Sequence, residues 1–290
     1  MQKFKAEDGA ELAYRDEGAG LPLLALAGLT RDGRDFDYLA RHLPGEVRFI
    51  RLDSRGRGGS QWTGPETYVV PQEAKDALAL LDHLGLERAA FVGSSRGGLI
   101  AMVIAATQKH RLLGVCLNDV GPVLQRDGLL RIGEYIGITP TVLTLAEIVD
   151  RMPATMPGFA NVPELRWAEE TVRHFNQEES RVGLPYDPAL RISFQTAMAG
   201  PLPEAWPLFE ACEGLPLALI RGAASDVLSR ETADEMRRRR PDMIFAEVPD
   251  RGHIPFLDEP EAIGAIHKWL GAIHSRLLHV ETEGSGPIVG

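Results

Sequence analysis

Short apolar runs along the chain alternate with longer stretches in which apolar residues recur at helical spacing. In the stretch after Pro71, for example, Ala74, Ala77, Leu78 and Leu81 share one face, which is typical of a helix packed on a sheet. Strands alternating with such helices predict an α/β fold with a doubly wound, mostly parallel sheet. An edge hairpin is predicted over residues 2–16, and buried strands at 21–27, 47–52, 89–92, 112–117, 217–220 and 243–248.

The strand pattern is interrupted between residues 122 and about 212. Three or four helical segments separated by prolines replace the strands there. An insertion at this point is expected to lie over the carboxyl edge of the sheet, where open α/β sheets bind ligands. We therefore predict an α/β core at 1–121 and 213–275, a helical cap at 122–212, and a loose, Gly-rich tail at 276–290.

Composition and charge narrow the class of partner. With 290 residues, of which 44% are hydrophobic, the chain is long enough to bury a full core. Its net charge of −10 disfavours nucleic acids and anionic membrane surfaces as partners. Two cysteines provide no disulfide framework, and we find neither a signal-peptide core nor an apolar run of membrane-spanning length. We expect a cytoplasmic protein that acts on a small molecule. The sequence does not determine its oligomeric state, and a homo-oligomer remains an option.

A Gly-x-Ser-x-Gly sequence lies where a predicted strand meets a predicted helix. Gly93, Ser95 and Gly97 are its defining residues, between the apolar run at 89–92 and an Ala-rich apolar stretch. In this context the motif forms a sharp turn that exposes the serine hydroxyl. The glycines let the two arms of the turn approach closely, and the start of the helix supplies unpaired N–H groups where negative charge can develop. Ser95 is therefore the predicted nucleophile.

A serine hydroxyl needs a base, and the base needs an acid to orient it. His253 is the histidine that follows a predicted terminal strand in a loop, so it is the predicted base. Two aspartates that end strands are candidates for the acid. Asp226 is favoured, because the small residues at 222–225 would let its carboxylate turn toward the histidine. Asp119 is the alternative, but its strand leads directly into the predicted cap, so it is expected to brace that exit instead.

Four motifs, taken in chain order, resemble those of the α/β-hydrolase family. They are the Asp-x-Arg-Gly-x-Gly-x-Ser stretch at 53–60, the turn at 93–97, the segment at 222–226 and the Gly-His pair at 252–253. The resemblance covers nearly the whole chain. It implies an oxyanion hole formed by the backbone N–H groups of Leu29 and Arg96. The chain departs from the family at Ala27, where members often carry a histidine before the glycine.

The resemblance also implies two-step acyl transfer. We expect a carboxylic-ester hydrolase that acts on small to medium substrates without a cofactor. Lactone hydrolysis, C–C bond hydrolysis and cofactor-free perhydrolysis on the same triad remain alternatives, as does a ligand receptor with little turnover. No metal is expected, because no cluster of His, Cys and Asp has metal-ligand spacing. Candidate residues of the substrate pocket are Arg31, which could pair with a substrate carboxylate, and Trp167 and His174 in the predicted cap.

Overall fold

An eight-stranded, mostly parallel sheet forms the centre of the computed structural model, which describes residues 1–284. The strands are β1 (Gln2–Lys5), β2 (Glu11–Glu17), β3 (Leu21–Leu26), β4 (Val47–Leu52), β5 (Ala89–Ser94), β6 (Leu112–Asn118), β7 (Asn176–Gln177), β8 (Val182–Gly183), β9 (Leu217–Gly222) and β10 (Ile244–Val248). Their order in the large sheet is β1-β2-β4-β3-β5-β6-β9-β10, while β7 and β8 form a separate pair. The pairs β1–β2 and β2–β4 are antiparallel and the other pairs of the large sheet are parallel, which confirms the predicted fold class.

Helices cover both faces of this sheet. They are α1 (Asp37–Ala40), α2 (Val70–His83), α3 (Arg96–Gln108), α4 (Arg126–Tyr135), α5 (Leu145–Val149), α6 (Met152–Thr155), α7 (Glu164–His174), α8 (Leu190–Met198), α9 (Trp206–Glu210), α10 (Arg230–Arg239) and α11 (Pro260–Gly284). Within residues 1–284, no helix combines the length and the apolar character that crossing a membrane requires.

Side chains of the central strands divide between two apolar layers. Leu24 and Leu26 of β3 enter the layer beneath α2 and α3, whereas Leu23 and Ala25 enter the layer beneath α1 and α11. Successive side chains of a strand point to opposite faces, and here both faces are covered. The central strands are therefore apolar at nearly every position, which is why they appear in the sequence as continuous apolar runs.

The segment between β6 and β9 lies over the carboxyl edge of the sheet and is called the cap here. It contains the helices α4 to α9 and the β7–β8 hairpin. Part of it has an apolar cluster of its own, formed by Val142, Ile148, Met152, Trp167 and Val182. Cap and core residues together line a cavity that includes Ser95, so the cap closes the edge where the predicted nucleophile lies.

The C-terminal region differs from the prediction. Helix α11 continues to Gly284, so the expectation of a loose tail is wrong for residues 276–284. The helix extends because its apolar face continues: Trp269 and Ile273 are fully buried against the sheet, and Leu277 packs on the same layer. The rest of the predicted tail, residues 285–290, lies outside the described residues.

Candidate active site

The turn between β5 and α3 holds Ser95 in a backbone conformation that residues with a side chain rarely adopt, with φ 49° and ψ −114°. A Cβ atom on Gly93 would lie 2.4 Å from the carbonyl carbon of Gly97, and one on Gly97 would lie 1.9 Å from the carbonyl oxygen of Leu26. Both positions therefore require glycine. The tight turn places Ser95 at the carboxyl edge of the sheet, where it lines the cavity beneath the cap.

Hydrogen bonds join Ser95 to a buried carboxylate through His253. The Oγ atom of Ser95 lies 2.9 Å from Nε2 of His253, and Nδ1 of the same ring lies 2.7 Å from Oδ2 of Asp119. An ionised carboxylate only accepts hydrogen bonds, so the neutral ring carries its proton on Nδ1. Nε2 is then free to accept a hydrogen bond from the hydroxyl of Ser95. This arrangement can move the serine proton to the ring while the carboxylate stabilises the resulting cation.

Asp119 directly follows β6 and is fully buried. Its Oδ1 accepts a hydrogen bond from the backbone N–H of Gly222 at 2.8 Å, and its Oδ2 accepts one from the hydroxyl of Ser225 at 2.6 Å. Together with the bond from His253, these contacts replace the water that the carboxylate loses on burial. Asp119 is thus held in place by neighbours that do not depend on the histidine.

Asp226 lies elsewhere, and its expected contact with the histidine is absent. Its Oδ2 pairs instead with Arg131 at 3.0 Å, and the side chain is 28% exposed. The small residues of its loop serve a packing role. A Cβ atom on Gly222 would lie 2.4 Å from the carbonyl oxygen of Gly252, so the loop must be small to approach the segment that carries His253. The prediction of Asp226 as the acid is therefore wrong in this geometry.

Asn118, the last residue of β6, connects the serine turn to the histidine loop and was missed by the sequence analysis. Its buried side-chain amide donates to Oγ of Ser94 at 2.9 Å and to the carbonyl of Pro255 at 3.1 Å. Its backbone carbonyl accepts the N–H of Ser95 at 2.9 Å. The available signal in the sequence was an amide side chain at the end of an otherwise apolar strand.

The two residues predicted to form an oxyanion hole belong to the loop after β3 and to the start of α3. Leu29 lines the cavity together with Gly28, and Arg96 is the first residue of α3, so its N–H has no partner within the helix. Ala27, which stands where a histidine is common, is buried in an apolar layer of the core. The loop is braced by Arg57, whose Nε donates to the carbonyl of Leu29 at 2.7 Å.

The cavity next to Ser95 has a volume of about 100 Å³ and combines apolar and charged walls. The apolar lining includes Leu29, Ile132, Met156, Phe256 and Leu257. The charged lining includes Arg31 and Asp35 of the core and Glu170 of the cap, and His174, also on α7 of the cap, lies beside them. The charged wall therefore forms where the core meets the cap.

Arg31 is held between two carboxylates. Its Nε lies 2.8 and 2.7 Å from the two carboxylate oxygens of Asp35, and its Nη2 donates to Oε2 of Glu170 at 3.0 Å. The remaining nitrogen, Nη1, is buried and has no hydrogen-bond partner among the described residues. Arg31 is thus a cation whose charge is already offset, with donor capacity left over.

Burial and crowding give the ionisable groups of this wall different pKa values. Burial raises the pKa of Asp35 to about 6. For Glu170, burial is outweighed by His174, 3.6 Å away, and by the charge of Arg31, and its pKa is lowered to about 2. Burial and the nearby Arg31 lower the pKa of His174 to about 4, so its ring is neutral at pH 7. Two carboxylates that share one guanidinium thus differ in how easily they ionise.

Two of the three residues predicted for the substrate pocket lie at the cavity, and the third does not. Arg31 and His174 line the cavity. Trp167 is outside the set of described residues that line it, and the prediction for Trp167 is wrong. Its ring packs against Phe159, with 6.3 Å between ring centroids, in the apolar cluster of the cap. The aromatic residue that the sequence offered as a substrate contact instead stabilises the cap.

We expect the wild-type protein to lose folding stability as the pH rises through the pKa of Asp35, and the substitution Asp35→Asn to remove this loss. The folded protein binds the Asp35 proton more tightly than an unfolded chain does, because the pKa is raised from 3.8 to about 6. This contribution to stability is complete below about pH 4 and is lost as the pH rises through about 6. Urea unfolding at a series of pH values should show the wild type losing stability relative to Asp35→Asn across this interval.

Asp32→Asn is the control for this prediction, because the neighbouring carboxyl titrates in the opposite sense. For Asp32, burial is outweighed by the hydrogen bonds from Arg34, which lower its pKa below 3.8. Its contribution to stability is present above about pH 4 and is lost as the pH falls below that value. A difference between wild type and Asp35→Asn that stays constant, or grows in favour of the wild type as the pH rises, would contradict the assignment.

Among residues 1–279, whose side chains the structure describes, no group of three or more His, Cys, Asp or Glu side chains is placed to bind a metal ion. Both cysteines are buried free thiols. Burial raises the pKa of Cys116 to about 12 and that of Cys212 to about 11, so neither thiol ionises readily near neutral pH.

Comparisons with known proteins identify the family to which this fold belongs. The model of the "Alpha/beta hydrolase family" matches residues 23–266. Over 250 residues the chain is 37% identical to a 3-hydroxybutyrate-oligomer hydrolase of Cupriavidus necator, a match that covers 83% of this chain and 85% of that protein. An alpha/beta hydrolase from Novosphingobium aromaticivorans is 35% identical, with a TM-score of 0.87 and coverage of 93% of this chain and 97% of the other. A thermophilic esterase from Thermogutta terrifontis, solved with malate bound, is 27% identical, with a TM-score of 0.72 and coverage of 94% and 100%. The chain belongs to the alpha/beta hydrolase family.

Proposed function

We propose that this protein is a serine hydrolase that cleaves small carboxylic esters through an acyl-enzyme intermediate. The observation that carries the proposal is the hydrogen-bonded series of Ser95, His253 and Asp119 beside a cavity closed by the cap. A serine, a histidine and a carboxylate in this arrangement supply the nucleophile, the base and the orienting acid of acyl transfer. In this proposal Asp119 takes the role that the sequence favoured for Asp226.

The proposed reaction begins when Nε2 of His253 accepts the hydroxyl proton of Ser95 as Oγ attacks the ester carbonyl carbon. The carbonyl oxygen becomes an oxyanion, to which the N–H groups of Leu29 and Arg96 donate; one such donor is worth about 3–4 kcal/mol in other enzymes. The protonated His253 then gives its proton to the leaving alkoxide. Water, deprotonated by the same ring, attacks the acyl carbon, releases the acid and restores Ser95.

For the substrate we favour short esters of hydroxy acids. The 37% identical relative from Cupriavidus necator is named a 3-hydroxybutyrate-oligomer hydrolase. A cavity of about 100 Å³ favours a small acyl group. Arg31 lines this cavity as a cation whose charge two carboxylates already offset. A substrate carboxylate is a poorer partner there, because Asp35 and Glu170 already surround the guanidinium and would repel it.

A substrate panel tests this proposal. It contains aryl esters of graded acyl length, matching lactones and amides, and the 3-hydroxybutyrate dimer with its methyl ester. We expect turnover of short esters and of the dimer, with the methyl ester cleaved at least as fast as the free acid. Absence of ester turnover would overturn the proposal. Turnover confined to lactones, C–C bonds or peracid formation would favour those alternatives, and saturable binding without turnover would favour a receptor.

A further inference from the structure

A single buried carboxylate connects the two segments that carry the proposed oxyanion donors. Glu73 lies on α2 and is 1% exposed. Its Oε1 accepts a hydrogen bond from Nη1 of Arg57 at 2.7 Å, and its Oε2 accepts one from Nε of Arg96 at 2.6 Å. Arg57 in turn donates through Nε to the carbonyl of Leu29 at 2.7 Å. The series Leu29, Arg57, Glu73, Arg96 therefore joins one donor residue to the other.

The positions of these two residues matter because an oxyanion hole works only when its donors are fixed where the negative charge develops. Leu29 belongs to the loop after β3 and Arg96 to the start of α3, so no short stretch of chain holds them together. The bond from Arg57 fixes the peptide that follows the Leu29 N–H. Charge-assisted hydrogen bonds between buried groups are short and strong, which suits them to maintain this spacing.

We propose that Glu73 is a positioning residue for the oxyanion hole, an inference that rests on the proposed ester hydrolysis. Glu73 is not among the described residues that line the cavity, and it acts through Arg57 and Arg96. Its loss lets the two donors move relative to each other. The transition state, which carries the full oxyanion, then loses more stabilisation than the bound ester does, so kcat falls while KM changes little.

Helix α2 offers a matched control one turn further along. Asp76 is also 1% exposed and forms a pair with a buried arginine, accepting from Nε of Arg55 at 2.6 Å and from its Nη2 at 2.5 Å. The Arg55 side chain continues to Asp8 rather than to either oxyanion residue. Changing Glu73 to its amide removes the carboxylate that Arg57 and Arg96 share, and changing Asp76 to its amide removes one of the two carboxylates that pair with Arg55. Each variant therefore breaks a buried pair of carboxylate and guanidinium, and both should lose stability.

The experiment compares Glu73→Gln with Asp76→Asn at a temperature where both are folded. We expect kcat to fall by about 10- to 100-fold in Glu73→Gln with KM within about threefold, and kcat of Asp76→Asn to stay within about threefold of wild type.

Inhibition by an aryl trifluoromethyl ketone gives a second readout. Ser95 adds to its carbonyl carbon, His253 takes the proton, and the carbonyl oxygen becomes an oxyanion. Its inhibition constant should rise in Glu73→Gln by the factor that kcat/KM falls, whereas that of an unreactive ether analogue should not change.

A second pair of variants keeps the test decisive if Glu73→Gln fails to fold. The double substitution Glu73→Leu with Arg57→Met removes one buried ion pair and leaves Arg96 its hydrogen bond to the carbonyl of Tyr68, and Asp76→Leu with Arg55→Met is its control. Apolar replacement of a buried ion pair commonly preserves folding. Equal losses in the two pairs, or a change in KM alone, would overturn the positioning role. A wild-type protein that neither hydrolyses esters nor binds the ketone would overturn the proposed function, and this inference with it.

Discussion

Ser95→Ala is expected to abolish ester hydrolysis, with kcat falling by about 10⁶-fold, as in other serine hydrolases. The Oγ atom of Ser95 is the one that lies 2.9 Å from Nε2 of His253, so the substitution removes both the nucleophile and the proton that the base would accept. The folded structure should be little affected, because the backbone strain at this position is imposed by the glycines on either side. Initial rates with a short aryl ester, measured at matched concentrations of folded protein, test the prediction.

Ser94→Ala is the control for Ser95→Ala, because the two hydroxyls are neighbours in sequence with different partners. The hydroxyl of Ser94 accepts a hydrogen bond from the side-chain amide of Asn118 and makes none to His253. We expect this variant to keep its activity within about tenfold and to be labelled on Ser95 by a serine-reactive phosphonate. Labelling of Ser94, or most of the activity surviving in Ser95→Ala, would show that the motif has been misread.

The sheet and the positions of Ser95 and His253 at its carboxyl edge were predictable because their signals are local. A strand covered on both faces must be apolar along its length, and β5 is. Gly93 and Gly97 have the spacing that the tight turn requires, and the contacts of their missing Cβ atoms show why no larger residue fits. The family resemblance drawn from these motifs is confirmed by the family match over residues 23–266.

The carboxylate that contacts His253 was not predictable in the same way, because it depends on strand order. Asp119 follows β6, which lies directly beside β5, the strand that leads to Ser95, whereas Asp226 follows β9, one strand further away. In the sequence each is an aspartate after an apolar run, and nothing local distinguishes them. The small residues at 222–225 misled the prediction, since Gly222 has no side chain in order to pack against Gly252, and Ser225 donates a hydrogen bond to Asp119.

The cap shows a similar limit for substrate contacts. Trp167 and His174 both lie on α7, yet His174 reaches the cavity and Trp167 is buried in the cap's own cluster. Helical spacing identifies residues that share a face but does not tell whether that face meets substrate or another part of the cap. The pairing of Arg31 with Glu170 was equally hidden, because it joins residues from segments far apart in the chain.

The exchange Asp119→Asn is expected to lower kcat by about 10³- to 10⁴-fold with little change in the fold. An asparagine has the same shape and keeps an oxygen for the N–H of Gly222, so the local packing can persist. It loses the charge that stabilises the protonated His253, and its NH₂ group favours the ring tautomer with the proton on Nε2, which cannot accept from Ser95. Steady-state kinetics together with thermal unfolding separate the catalytic loss from any loss of structure.

Asp226→Asn is the comparison that decides between the two carboxylates. Asp226 is part of a half-exposed ion pair with Arg131, and pairs of this kind contribute about 0–1 kcal/mol to stability. It has no hydrogen bond to His253, whose Nδ1 is occupied by Asp119. We therefore expect kcat of Asp226→Asn to stay within about tenfold of wild type. Were Asp226→Asn to lose the larger share of activity while Asp119→Asn stayed active, the acid would be Asp226, and the contact between Asp119 and His253 would not be the one used in turnover.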